Sequence, residues 1–193
     1  MSDSVDLQHF AESQDAFGGI VQLVDRHQWG EPTPCTQWDV HALVNHLVGE
    51  QLWATPMLSG LTIDDVGSEL DGDMLGAEPL GSWRTAAAAA RVAYTAPGAL
   101  DGTINSSSGK EPARKYLAEM TFDLIVHRWD LGESIGVPQR FSDAECQVLT
   151  DALAMFEPMA EQLVAAGLFG PPVSVSDRAD SQHKILAALG RTA

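Results

Sequence analysis

Residues 121–136 read TFDLIVHRWDLGESIG. Phe122, Leu124, Ile125, Val126, Trp129 and Leu131 make this segment apolar on most sides, which predicts a helix packed inside the protein rather than on its surface. Asp123, His127, Arg128 and Asp130 interrupt it, and polar groups in such a place need partners. Asp123 and His127 are four residues apart, so a helix projects both from one face, where a carboxylate and an imidazole can share one small target. The flanking sequence extends this helix to about Ala113–Ile135.

Outward from that segment the chain reads as all-α. Leu7, Phe10, Phe17, Ile20 and Val24 recur at helical spacing over about Asp6–Arg26. After the break at Gly30, Pro32 and Pro34, a second helix is expected from Thr36 or Gln37, with Asp39 in its first turn and Pro56 kinking or ending it after Thr55. Residues 61–81 carry Asp64, Asp65, Glu69, Asp71, Asp73 and Glu78 among glycines and read as a solvated acidic connection, without the ligand order of an EF-hand loop. Ser82–Ala96, rich in alanine, predicts a third helix. PGALDGTINSSSGKEP, rich in turn residues, leaves room for a short hairpin before the helix of Asp123. Ser142 and Glu145 form a capping-box pattern opening a fifth helix that bends at Pro158, and Ala179–Leu189 predicts a last short one.

Charge and composition exclude several classes of function. With 11 Lys and Arg against 27 Asp and Glu, the net charge of -16 argues against nucleic acid or an anionic membrane as partner. At 193 residues a single domain spanning 1–193 is expected. The N-terminus has no basic and apolar leader pattern and no segment offers a membrane span, so the expected location is the cytoplasm. Cys35 and Cys146 are isolated and read as free thiols, although distant cysteines can meet in a fold. Nucleophile-elbow and phosphate-cradling glycine patterns are absent.

The chemistry then rests on a candidate metal site. Asp123 and His127 supply two ligands, and His46, between Val44 and Leu47 on the second helix, is the candidate third, because bundle metal sites are built from facing helices. Glu50, one turn beyond His46, is a reserve ligand or general base. The spacing alone leaves a satisfied core histidine as the alternative. Asp130 is a candidate partner for a ligand, and Arg128 either pairs with a carboxylate or binds an acidic substrate. Trp38, Trp53 and Trp129 read as core residues; His9, His27, His41 and His183 read as solvated.

WDVHALVNHLVGEQLW (38–53) and FDLIVHRWDLGESIG (122–136) together resemble the metal-binding domain of mycothiol-dependent maleylpyruvate isomerases and related actinobacterial members of the DinB-like superfamily. FGPPVSVSDRADSQHKILAALGR (169–191) resembles the end of the short members of that group. The resemblance implies a DinB-like four-helix bundle with additional C-terminal helices, holding a divalent metal, commonly zinc with nickel as the alternative, on His46, Asp123 and His127. It also implies mycothiol as a small-molecule thiol, activated at the metal toward an unidentified electrophile, with Glu50 and Arg128 as candidate catalytic residues; a homodimer is one assembly it leaves open. Two features depart from the isomerase. Asp123 stands where the isomerase has glutamate, one methylene longer, so its carboxylate sits farther from the metal, binds through water or selects a different ion. The chain stops at Ala193 and lacks the isomerase's additional C-terminal domain, which weakens transfer of that exact reaction, and maleylpyruvate is not assumed as substrate. The competing class is a non-catalytic bundle whose metal is structural or sensory, or which serves a protein interaction; a metal-dependent hydrolase using Glu50 as base is a lesser alternative.

Overall fold

A computed structural model describes residues 3–106 and 109–192. Helices α1 (Asp3–Val21), α2 (Val40–Leu58), α4 (Pro79–Thr95) and α5 (Ala113–Ile135) form the bundle, and α3 (Ile63–Val66) is a single turn inside the acidic connection. α6 (Asp143–Phe156), α7 (Ala160–Ala165) and α8 (Ser181–Ala188) follow. The expected all-α, DinB-like bundle with further C-terminal helices is the architecture found, its one sheet among the described residues being a two-stranded hairpin.

The four bundle helices pack in a ring, α1 against α4 and α5, and α2 against the same two. Phe10, Phe17, Leu43, Leu47, Trp83 and Leu124 fill its centre. A second apolar cluster lies on the other side of α5, where Phe122, Ile125, Val126 and Trp129 meet Leu149 of α6 and Ile185 and Leu186 of α8. This explains why α5 is apolar almost all round: Leu124 and Leu131 face the bundle, while four of their neighbours face the C-terminal layer. Each such side chain, fully buried, contributes roughly 1.5–3 kcal/mol of transfer free energy.

The element ends follow local chemistry. α5 has the expected bounds, starting after Pro112 and closing at Gly136, whose φ of +73° suits a residue without Cβ. Asp39 is not within the first turn of α2 but is its N-cap, its carboxylate accepting from Ala42 N–H at 2.8 Å, so the helix begins at Val40. Pro56 does not end α2, which continues to Leu58 with the proline inside the helix. α1 stops at Val21, five residues short of the expected end, although Val24 still packs on the core. α4 starts three residues earlier than expected, because Pro79 occupies the first turn, where its missing N–H costs nothing. The capping box of Ser142 and Glu145 is present, and Pro158 marks a break: α6 ends at Phe156 and a short 3₁₀ turn leads to α7.

The hairpin consists of β1 (Thr103–Ser106) and β2 (Gly109–Pro112), paired antiparallel from Thr103 opposite Pro112 to Ser106 opposite Gly109. Its connecting residues, Ser107 and Ser108, lie outside the described residues. Ile104 is buried against Met57 and Ala113, which fixes the hairpin beside the C-terminal end of α2. Among the described residues no helix is long and apolar enough to cross a membrane.

Candidate metal centre

His46 projects from the middle of α2, and Asp123 and His127 from successive turns of α5, so the two facing helices bring the three side chains together. Their potential ligand atoms all lie within 4.8 Å of one another, and His46 Nε2 is 3.8 Å from Asp123 Oδ2. Two imidazoles and a carboxylate converging in this way are a donor set that zinc-like ions accept, so the residues present fit a divalent metal. The shorter reach of aspartate does not keep Asp123 out of the cluster.

His127 is oriented from behind. Its Nδ1 lies 2.9 Å from Oδ2 of the fully buried Asp130, which assigns the proton to Nδ1 and leaves Nε2 as the free acceptor. Asp130 is in turn held by Arg191, whose Nε and Nη2 donate to its two oxygens at 3.0 and 2.7 Å. Burial acts to raise the Asp130 carboxyl, but the hydrogen bonds and charges of His127 and Arg191 outweigh it and hold the group below its ordinary value. Next to Arg191, the backbone of Gly190 lies close to that of Gly170. A Cβ on Gly190, whose φ is +81°, would lie 2.7 Å from the Gly170 backbone.

Glu50 joins the cluster on the opposite side, with Oε1 3.5 Å from His46 Nε2. Burial, then the charge of Asp123 and a hydrogen bond shared with Asp123, push the Glu50 carboxyl well above its ordinary range. Its Oε2 is buried and has no hydrogen-bond partner among the described residues. Asp123 is the ionised partner. Burial works against that, but the His46 hydrogen bond, the charges of His127 and His46 and the Glu50 proton hold its carboxyl below the usual value.

Trp38, expected in the core, is half-buried and covers both histidines, with ring centroids 4.5 Å from His46 and 5.6 Å from His127. Cys35, three residues earlier, forms an overlapping group with His127 and Asp130. Burial first, then the nearby carboxylates, raises its thiol above the ordinary value despite Arg191, so Cys35 is not a ready thiolate. It is free, as is Cys146. Arg128 is not brought to the cluster: Nη1 donates to Glu145 at 2.7 Å and Nη2 to the Arg140 carbonyl at 3.1 Å, both on the C-terminal side of α5. Of the histidines expected in solvent, His27 is exposed, His9 is half-buried, and His41 and His183 lie at 3.5 and 2.6 Å from Asp73 and Asp180.

A cavity of about 450 Å³ opens beside His46 and Glu50. Trp53, Met57 and Tyr116 line it on one side, and Leu70, Asp71, Gly72 and Met74 of the acidic connection on the other. That connection is fastened to α2 by Asn45, which donates to the Gly72 carbonyl at 2.9 Å and accepts from Met74 N–H at 2.7 Å. Arg191, Trp38 and Asn45 are the site-forming residues that sequence reasoning did not assign; only Asn45, adjacent to His46, carried a local signal.

A helical bundle with a His–Asp–His cluster between two of its helices is thus the class to which fold and site point. Residues 10–132 match the mycothiol maleylpyruvate isomerase N-terminal domain family, and the chain belongs to that family. It is also similar to two uncharacterized proteins of Mycobacterium tuberculosis, from strains CDC 1551 / Oshkosh and H37Rv. Each is 28% identical over 196 residues, covering 96% of this chain and 97% of the relative. No solved structure matches the chain significantly.

Proposed function

We propose that the chain is a metal-dependent, mycothiol-using transferase or isomerase-like enzyme. The observation that carries this reading is the convergence of His46, Asp123 and His127 beside Glu50 at the edge of a cavity. Family membership supports the thiol, and the raised Cys35 thiol supports a nucleophile that comes from outside the chain. In this reading His46, Asp123 and the Nε2 atom of His127 hold a divalent metal, zinc or nickel. A divalent metal bound there supplies Lewis acidity, lowering the pKa of a coordinated thiol so that thiolate is available near pH 7.

The protein's own residues do the rest. Asp130 and Arg191 fix the tautomer and angle of His127. Trp38 covers the histidines and keeps water from their outer faces. Glu50 holds a proton at the cavity wall and gives it to the carbon or oxygen on which charge develops when sulfur adds to the electrophile.

The experiment is thiol-dependent consumption of an electrophile by the metal-loaded chain, with and without chelator. Turnover is expected to require both metal and thiol, and Glu50→Gln to lower kcat by about 10²-fold or more. Retained metal with no thiol bound or consumed would leave a structural or sensory metal and remove the transferase reading.

A further inference from the structure

The cavity beside His46 is mainly apolar, with acidic side chains in its lining. Trp53, Met57, Ile63, Leu70, Met74 and Tyr116 give it mainly apolar walls, its acidic lining residues are Glu50 and Asp71, and among the described residues no lysine or arginine lines it. Three of the cations flanking this part of the molecule are already engaged. Arg191 is paired with Asp130, Arg128 with Glu145, and Lys115 with Glu111 and Glu119. A metal on His46, Asp123 and His127 has part of its charge offset by Asp123, and the rest by an incoming thiolate. A substrate carboxylate entering this space would therefore lose hydration among apolar side chains and find no lysine or arginine in the described lining to pair with. The side formed by the acidic connection is held in place as well, because Asn45 fixes Gly72 and Met74 to α2.

We propose, resting on the thiol-transfer reading above, that this cavity takes an uncharged and largely apolar electrophile and discriminates against carboxylate-bearing ones. The corresponding step is an addition. The thiolate sulfur bonds to the electrophilic carbon, the π pair of the carbon–carbon double bond moves onto the adjacent carbonyl system, and a proton is returned to the neighbouring carbon. Overall the carbon–carbon π bond and the thiol S–H bond are broken while one C–S and one C–H bond form, the thiol's proton ending on the neighbouring carbon, and no oxidant or reductant is needed.

The test uses the full zinc-loaded chain and two slow acceptors that differ by one remote charge, 4-phenylbut-3-en-2-one and its para-carboxylate. Their saturated counterparts, which cannot react, are titrated against the fluorescence of Trp53, with Trp53→Phe as the blank. The neutral compound is expected to show kcat/KM and affinity both about tenfold or more above those of the carboxylate. Asp71→Lys is expected to narrow each ratio severalfold by placing a cation in the lining. Equal or tighter binding of the carboxylate to the wild type, or no binding of either saturated compound, would overturn the inference. Selective binding without any thiol-dependent turnover would instead sink the transfer reading and leave the cavity's selectivity standing. Turnover with no preference would do the reverse.

Discussion

Asp130 shows how much of the site was readable from single residues. Its place three residues after His127 made it a candidate partner from the sequence, and its oxygen lies 2.9 Å from His127 Nδ1. Arg191 was not readable, because it lies 61 residues beyond Asp130 and only the tertiary fold brings the two together. Removing Arg191 leaves a buried carboxylate without its cation, so Arg191→Leu is expected to destabilise the protein by about 3–5 kcal/mol in denaturant titration. Asp130→Asn is expected to weaken metal affinity by about 10–100-fold while His46, Asp123 and His127 are all present. The pH dependence follows from the sign of the shift. Asp130 has a lower pKa folded than unfolded, so its stabilising contribution is full above the unfolded value and is lost as pH falls through the folded one. Acid unfolding of the wild type below about pH 4 should therefore be steeper than that of Asp130→Asn, measured by circular dichroism.

Helix existence was legible throughout, and boundaries were legible where a residue type has one strong local meaning. Pro112 and Gly136 bracket α5, and Ser142 with Glu145 opens α6. The misplaced ends have physical reasons of their own: Asp39 serves as a cap rather than a first-turn charge, and Pro79 lies inside α4 rather than before it. The paired role of Glu145 was not legible. Its Oε2 accepts from Ser142 N–H at 2.7 Å to close the capping box, and its Oε1 accepts from Arg128 at the same distance. Ser142→Ala, which loses only the cap, is expected to cost about 1 kcal/mol in thermal or denaturant unfolding. Glu145→Ala should cost roughly 3 kcal/mol, because it also leaves Arg128 unpaired in the C-terminal layer. Equal effects of the two variants would show that the Arg128 pair adds nothing to the joint between α5 and α6.

At the scale of the whole molecule, two apolar clusters share α5, and the cluster of His46, Asp123 and His127 lies where that helix faces α2. The fold class was legible because the double burial of α5 is written into its apolar run. The relative placement of His46 and the α5 pair depended on the packing of α2 against α5, which periodicity does not specify. With a net charge of -16 the native state also carries self-repulsion. The most direct measurement is elemental analysis of the purified chain and of His46→Ala, Asp123→Ala and His127→Ala after loading with zinc and desalting. One equivalent of metal on the wild type and its loss from each variant, with helicity retained, is the expected result. Stoichiometric metal in all three variants, or none on the wild type, would contradict the assignment of the site.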